Sequence, residues 1–197
     1  MFDHRPAAAE MARLVNGVRD DQLGGPTPCP EYTLGDLLEH VHGLSLAFTM
    51  AARKEELPPT DGPPRGTASR LPADWRSSIT ERLDALVAAW QQPGAWQGRA
   101  TVAGVDMTGP ETALVALDEL VVHGWDVARA SGQPFGAEPQ VLEAALAFVR
   151  PTAESRAQGT PGLFGPPVKV AADAPPLDQL IALTGRDPKW SLENGRT

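Results

Sequence analysis

The segment 113–127, ALVALDELVVHGWDV, constrains the fold most, because apolar residues occur on every side of it when it is drawn as a helix. A helix that is apolar all round is buried on most of its surface. The same segment nevertheless carries Asp118, Glu119, His123 and Asp126. Burying such groups costs free energy unless they are paired or bind a metal ion. The segment therefore predicts a buried helix that carries a polar site.

Apolar residues at helical spacing predict five further helices along the chain. Thr33 with Asp36, and Thr108 with Glu111, have the spacing of capping boxes at two helix starts. A Pro- and Gly-rich connection at 56–72 is long enough for a crossover. Alternating residues around 96–105 predict a short hairpin or an extended loop. The six predicted helices cover about residues 5–22, 33–54, 74–91, 108–131, 139–157 and 177–183.

Composition excludes several classes of function. A formal net charge of −8 without a dense Lys and Arg cluster argues against a nucleic-acid partner. No apolar run is long enough to span a membrane and the N-terminus lacks signal-peptide features, so we expect a cytoplasmic protein. The single cysteine, Cys29, excludes a multi-thiolate metal site. No neighbour in sequence would lower the pKa of Cys29, which we interpret as a structural loop residue.

A pair on the buried helix and the histidines elsewhere suggest a metal site. Glu119 and His123 share one helical face, with Cβ atoms about 5–6 Å apart. A simple Glu–His hydrogen bond is the favoured explanation for that pair taken alone. His40 and His42 on the second helix offer a third ligand, and periodicity does not choose between them. His4, near the N-terminus, is expected to be solvated.

A set of two histidines and one carboxylate leaves coordination positions open, which is typical of a catalytic rather than a structural metal site. Zinc suits these ligands best, and nickel, iron and manganese are also accommodated.

Two blocks, CPEYTLGDLLEHVHG and DELVVHGWDVARASGQP, and the C-terminal LFGPPVKVAADAPPLDQLIALTGRDP resemble the mycothiol-dependent maleylpyruvate isomerase N-terminal family of the DinB/YfiT-like superfamily. The resemblance implies an all-α, DinB-like four-helix bundle with a metal between its helices. Matched motif by motif, the metal ligands are His40, which closes DLLEH, and Glu119 and His123. Asp126 matches an acidic position beside the metal, where it would act in catalysis by holding a ligand or handling a proton. The role of Arg129 in the same block stays open.

The predicted architecture has a long crossover between helices 2 and 3 and an irregular C-terminal wrap. We expect one domain over 1–197, in which residues 159–197 form an extension packing on the bundle. Similar bundles favour a homodimer.

The resemblance also implies thiol chemistry. In such enzymes the open metal position takes the thiol of mycothiol or bacillithiol, and the resulting thiolate attacks a small electrophile. The isomerase carries a larger C-terminal domain that contributes to its active site, whereas this chain has about forty residues after the fifth helix. We therefore expect a metal-dependent thiol S-transferase or isomerase with another small electrophile. The alternatives are a non-catalytic metal-binding or ligand-binding bundle, and a structural helical domain without a metal.

Overall fold

The computed structural model describes residues 1–56, 65–154, 158–159 and 164–194. This part of the chain is mainly helical, which confirms the predicted fold class. The helices are α1 (Arg5–Gly17), α2 (Leu34–Arg53), α3 (Trp75–Trp90), α4 (Gly109–Ser131), α5 (Pro139–Glu154) and α6 (Pro176–Leu183). Two short strands, β1 (Arg99–Val102) and β2 (Val105–Thr108), form an antiparallel hairpin between α3 and α4.

Four helices enclose the main core. Helix α1 packs against α3 and α4, and α2 packs against the same two helices. Helix α5 covers another part of α4 and also contacts α6. Every residue from position 120 to position 128 of α4 is buried. The all-round apolar pattern of this segment therefore reflects its place between the other helices.

Capping boxes fix where α2 and α4 begin, as their sequences predict. Thr33 N donates to Asp36 Oδ2 over 3.0 Å, and Asp36 N donates back to Thr33 Oγ1 over 3.2 Å. At the start of α4, Thr108 N donates to Glu111 Oε2 over 2.8 Å, and Glu111 N donates to Thr108 Oγ1 over 3.4 Å. Each box satisfies helix-end N–H groups that would otherwise lack partners.

Helix α1 is shorter than predicted, since it ends at Gly17 and residues Asp20–Gln22 form a separate turn of 3₁₀-helix. Val18 has an extended backbone, and its side chain turns into the core. The side chain of Gln133 lies against Gly17, and its Nε2 donates to the carbonyl of Leu14 over 2.9 Å. A contact from beyond α4 therefore closes the end of α1, and local sequence does not reveal such a contact.

The hairpin confirms the extended structure predicted near 96–105. Ala103 and Gly104 form its two-residue turn, and both have positive φ, at 52° and 80°. Turns of this kind match the right-handed twist of paired strands.

Part of the predicted crossover, residues 57–64, lies outside the described residues. After it, the chain lies directly on α2. A Cβ atom on Gly66 would come within 2.9 Å of the Cβ of His40. The amide nitrogens of Thr67 and Ala68 donate to Glu39 Oε2 over 2.9 Å and to Asp36 Oδ1 over 2.7 Å. Acidic side chains of α2 thus hold this segment beside His40.

The C-terminal segment reaches the helical core through α6. Val168 N donates to the carbonyl of Ala182 over 2.9 Å, and α6 packs on α5. Residues 160–163 and 195–197 of the predicted extension lie outside the described residues, and the single-domain organisation stays a prediction. Within the described ranges, none of the helices has the length and apolarity needed to cross a membrane.

Candidate metal centre

The three predicted ligands converge between α2 and α4. Glu119 Oε2 lies 3.0 Å from His123 Nε2 and 3.6 Å from His40 Nε2. The two imidazole rings are nearly perpendicular, with centroids 5.0 Å apart. The three ligand atoms lie no more than 4.8 Å from one another. Donors about 2.0–2.2 Å from a shared ion are themselves roughly 3–3.5 Å apart, so small side-chain movements suffice to enclose a cation.

The carboxylate of Glu119 provides a test of whether a metal fits. Its Oε2 atom is buried and accepts no well-formed hydrogen bond from the described residues, although two imidazole nitrogens lie close by. A buried oxygen without a donor costs about 1–3 kcal/mol. A divalent cation would supply the missing partner, and two imidazoles with one carboxylate form a common donor set for zinc and related ions. The residues present therefore fit a divalent metal.

His40 and His42 occupy different environments. His42 Nε2 lies 2.8 Å from Ser78 Oγ on α3, and Arg82 donates to the carbonyl of His42 over 2.8 Å. Both contacts hold His42 against α3, while His40, two residues earlier and on another side of α2, lies beside Glu119. His42 is not part of the ligand cluster. The structure thus separates the two candidates that helical periodicity leaves equivalent.

The acidic and basic groups of the cluster each favour the charged form of the other. Burial alone would raise the pKa of Glu119, but His123 and His40 outweigh it and hold this pKa below its ordinary value. Burial alone would lower the pKa of His123, yet Asp126 and Glu119 raise it to about 9. Because metal ligation requires neutral imidazole, a cation would compete with a proton at His123.

Asp126 lies behind His123, away from solvent. Its side chain has 0% exposure, and Oδ2 lies 3.0 Å from His123 Nδ1. Arg186 donates through Nη2 to Oδ2 over 3.0 Å and through Nε to Oδ1 over 3.3 Å. Burial would raise the pKa of Asp126, but Arg186 and His123 together outweigh that effect, so this pKa stays below its usual value. Both oxygens of Asp126 are therefore occupied by protein groups.

Sequence analysis did not single out Arg186, although it stands in the LTGRDP of the C-terminal block. A charged residue directly after a helix-ending glycine, in a block that resembles the family, is the signal that would have drawn attention to it.

Asp118, one residue before Glu119, has a different environment. It is 2% exposed, and its Oδ1 atom has no hydrogen-bond partner among the described residues. Burial raises the pKa of Asp118 to about 8. A neutral carboxyl is therefore favoured at this position at neutral pH, and the ligand cluster does not include it.

Comparison with known proteins identifies the family. Residues 4–128 match the model of the mycothiol maleylpyruvate isomerase N-terminal domain. The chain belongs to this family. Two uncharacterized proteins of Mycobacterium tuberculosis, Rv0738 and MT0763, are each 31% identical to it over 197 residues, covering 94% of this chain and 97% of their own lengths. The match of the family model confirms the family resemblance that the sequence blocks predict.

Solved structures show the same fold. The crystal structure of the mycothiol-dependent maleylpyruvate isomerase matches with a TM-score of 0.58 and 21% identity, covering 79% of this chain and 67% of that chain. A mutant of the same enzyme matches with the same TM-score and 22% identity. The mainly helical fold is therefore that of the DinB-like isomerase.

The ligand cluster does not include three other residues of the two sequence blocks, namely Cys29, Tyr32 and Arg129. The ring of Tyr32 lies 5.5 Å from the ring of His40, and its hydroxyl accepts from Gly66 N over 3.3 Å. Burial raises the pKa of the Cys29 thiol to about 11, which agrees with a structural loop cysteine rather than a nucleophile. The exposed Arg129 has its guanidinium carbon 5.2 Å from the centroid of the Trp125 ring.

The expectation that His4 is solvated is wrong. His4 is only 3% exposed, and its Nε2 lies 3.0 Å from the carbonyl oxygen of Ala113 in the first turns of α4. Its ring stacks on Trp90 at a centroid distance of 5.5 Å. Phe2 also contacts the His4 ring, but Trp90 and Trp96 come from α3 and the following turn, so the N-terminal sequence alone does not show that His4 is buried.

Proposed function

We propose that this protein is a metal-dependent enzyme that activates a small thiol, of the mycothiol type, for transfer to or isomerisation of a small electrophile. The observation that supports this most is the convergence of His40, Glu119 and His123 around a buried carboxylate oxygen that accepts no well-formed hydrogen bond from the described residues. Three protein donors leave room for a fourth ligand, as catalytic metal sites do.

The exposure of the ligands indicates how a small molecule would reach the centre. The side chains of His40 and Glu119 are 16% and 18% exposed, whereas Asp126 behind His123 is fully enclosed. One side of the cluster therefore faces the outside and the other faces packed protein. The ring of Tyr32 lies 5.5 Å from the ring of His40, and we expect it to lie near a bound ligand.

The three ligands would bind the metal, and Asp126 would orient one of them. A divalent cation held by the three ligands would lower the pKa of an added thiol, so that the nucleophilic thiolate is present at neutral pH. With a cation bound, Asp126 would accept a hydrogen bond from Nδ1 of His123, which would leave the Nε2 lone pair directed at the cation. Because Asp126 cannot reach a substrate, we propose a positioning role for it instead of proton transfer.

The thiol class rests on the family. The family model and the similar crystal structures are named for mycothiol-dependent maleylpyruvate isomerase. The electrophile of this chain is a proposal at the level of chemical class only, namely a small molecule that accepts a thiolate.

Enzyme assays with defined metal content test the proposal. The zinc-loaded protein, incubated with mycothiol and a panel of small electrophiles, should give turnover above the rate of mycothiol alone. His40→Ala and Glu119→Gln should lose both metal and turnover. His42→Ala is the matched control, because it removes a histidine of the same helix that faces Ser78, and it should keep both. Full metal loading without turnover on any electrophile would contradict an enzymatic function.

A non-catalytic binding protein is the second candidate. The observation in its favour is that the acidic group nearest the cluster, Asp126, is fully occupied by His123 and Arg186. Binding of zinc and mycothiol, measured by calorimetry, with no chemistry in the electrophile panel would support this candidate over the enzyme.

A further inference from the structure

The hydrogen bonds at the end of α6 fix the backbone position of Arg186. Gly185 N donates to the carbonyl of Ala182 and Arg186 N donates to that of Ile181, both over 3.1 Å. This pair of bonds is a Schellman motif, in which a residue with positive φ turns the chain out of the helix. Gly185 has a φ of 84°, as the motif requires. Arg186 is the first residue after this turn, so its direction is set by the helix end.

A second segment fixes the same turn from outside. A Cβ atom on Gly185 would lie 2.6 Å from the Cα of Gly165, so the two backbones touch without room for a side chain. Only glycine combines that close approach with the left-handed conformation. The side chain of Arg186 is further restrained because its Nη1 donates to the carbonyl of Thr184 over 3.0 Å.

Arg186 directs its remaining donors at Asp126. Nε and Nη2 contact the two carboxylate oxygens at 3.3 and 3.0 Å, and Arg186 is only 6% exposed. Asp126 in turn contacts His123 Nδ1 at 3.0 Å. A continuous chain of polar contacts therefore runs from the C-terminal segment to the imidazole whose Nε2 faces Glu119.

A buried ion pair such as that of Arg186 with Asp126 is not expected to be present for stability alone. Burying an ion pair costs desolvation energy that the attraction often fails to recover, and apolar residues of similar volume are frequently at least as stable. A fork of two N–H groups, by contrast, fixes the plane of a carboxylate, and a carboxylate fixes the orientation and tautomer of a ligating histidine. The geometry therefore matches a role in orienting His123.

We infer that Arg186 is a positioning residue of the metal centre, which acts through Asp126 to hold His123 in its metal-binding orientation. This inference rests on the proposed metal-dependent function. It makes the segment after α6 part of the centre, although the ligand cluster includes none of the residues described there.

Cobalt titration tests this role without any thiol or electrophile. Co²⁺ added to the purified full-length protein reports binding and ligand geometry through its visible absorption. We expect Arg186→Met and Asp126→Asn each to weaken Co²⁺ binding about 10- to 100-fold and to change the band shape. The double variant should lose little more than Asp126→Asn alone, because both changes break one chain of contacts.

The double variant also addresses folding, because it leaves no unpaired buried carboxylate at position 126. Arg76→Met is the matched control, since Arg76 also joins two segments, through Val18 and Asp20, away from the cluster. It should bind Co²⁺ as the unchanged protein does. Wild-type affinity and spectrum in a folded Arg186→Met protein, or in the folded double variant, would overturn the positioning role alone. Failure of the unchanged protein to bind Co²⁺ would instead remove the proposed function, and this role with it.

Discussion

Two histidines are buried at different points along α4: His4 contacts its first turns and His123 belongs to it, and they are 3% and 7% exposed. His4 meets a backbone carbonyl and the face of Trp90, and burial lowers its pKa. His123 stands between two carboxylates, which raise its pKa to about 9. Both histidines are thus buried, and the groups that they contact account for the opposite directions of their pKa shifts. A histidine satisfied by a carbonyl and an aromatic ring stabilises the fold, whereas one that faces an unsatisfied carboxylate oxygen indicates a binding site.

The partners of His123 should matter most to stability. Arg186→Met leaves the Asp126 carboxylate buried and without its cation, and breaking a buried pair in this way costs about 3–5 kcal/mol. Urea unfolding at neutral pH measures this loss in the free energy of unfolding. Adding Asp126→Asn should recover much of it. The control Arg76→Met removes a pair in which Asp20 is 75% exposed, and it should cost about 1 kcal/mol or less. Equal losses in the two single variants would contradict the difference between buried and exposed pairs.

The turn that holds Arg186 should show the next largest effect. Gly185→Ala places a Cβ at positive φ and against Gly165, so we expect a loss of about 2 kcal/mol or more, measured by thermal unfolding. Gly132→Ala is the matched control, since Gly132 also ends a helix at a φ of 72° but has open space where its Cβ would stand. Its loss should stay near 1 kcal/mol, the cost of the conformation alone. Similar losses at both glycines would show that the contact with Gly165 contributes nothing.

The smallest effect should come from His4, as a dependence of stability on pH. Burial lowers the folded-state pKa of His4 below 6.5, so the folded protein takes up a proton at His4 only at a lower pH than the unfolded chain does. The contribution of His4 to the free energy of unfolding should therefore fall as the pH falls below about 6.5. His4→Gln, which keeps an amide to contact the Ala113 carbonyl, should show a shallower loss over the same range.

His42→Gln serves as the control for that measurement. Its pKa is also lowered, mainly by burial, but it packs against α3 instead of α4. The His42→Gln protein should retain the part of the slope that His4 contributes. A His4→Gln protein with an unchanged slope would show that His4 does not titrate as its environment implies.

Local sequence was sufficient for most of the helices and for the shared face of Glu119 and His123. These features depend on residues three and four positions apart, such as the pairs that cap α2 at Thr33 and α4 at Thr108. The end of α1 was not predictable, because Gln133 closes it from a distant position. The choice of His40 over His42 depended on the family resemblance, since both lie at edges of the apolar stripe of α2.

Two buried contacts could not be predicted from local patterns. The ring of His4 lies against Trp90 and Trp96, which are far away in the chain. Arg186 meets Asp126 across a separation of 60 residues. Neither contact leaves a periodic trace in the sequence, because each depends on how separate segments pack and on the exclusion of water there.

The separation between Asp126 and Arg186 also has a consequence for biosynthesis. A ribosome completes the three candidate ligands and Asp126 well before it adds Arg186. During that interval the helices that carry the ligands are already present, while the guanidinium that neutralises Asp126 does not yet exist. Until that guanidinium has been added, the nascent chain lacks the two contacts, of 3.0 and 3.3 Å, that join Arg186 to Asp126 in the folded protein.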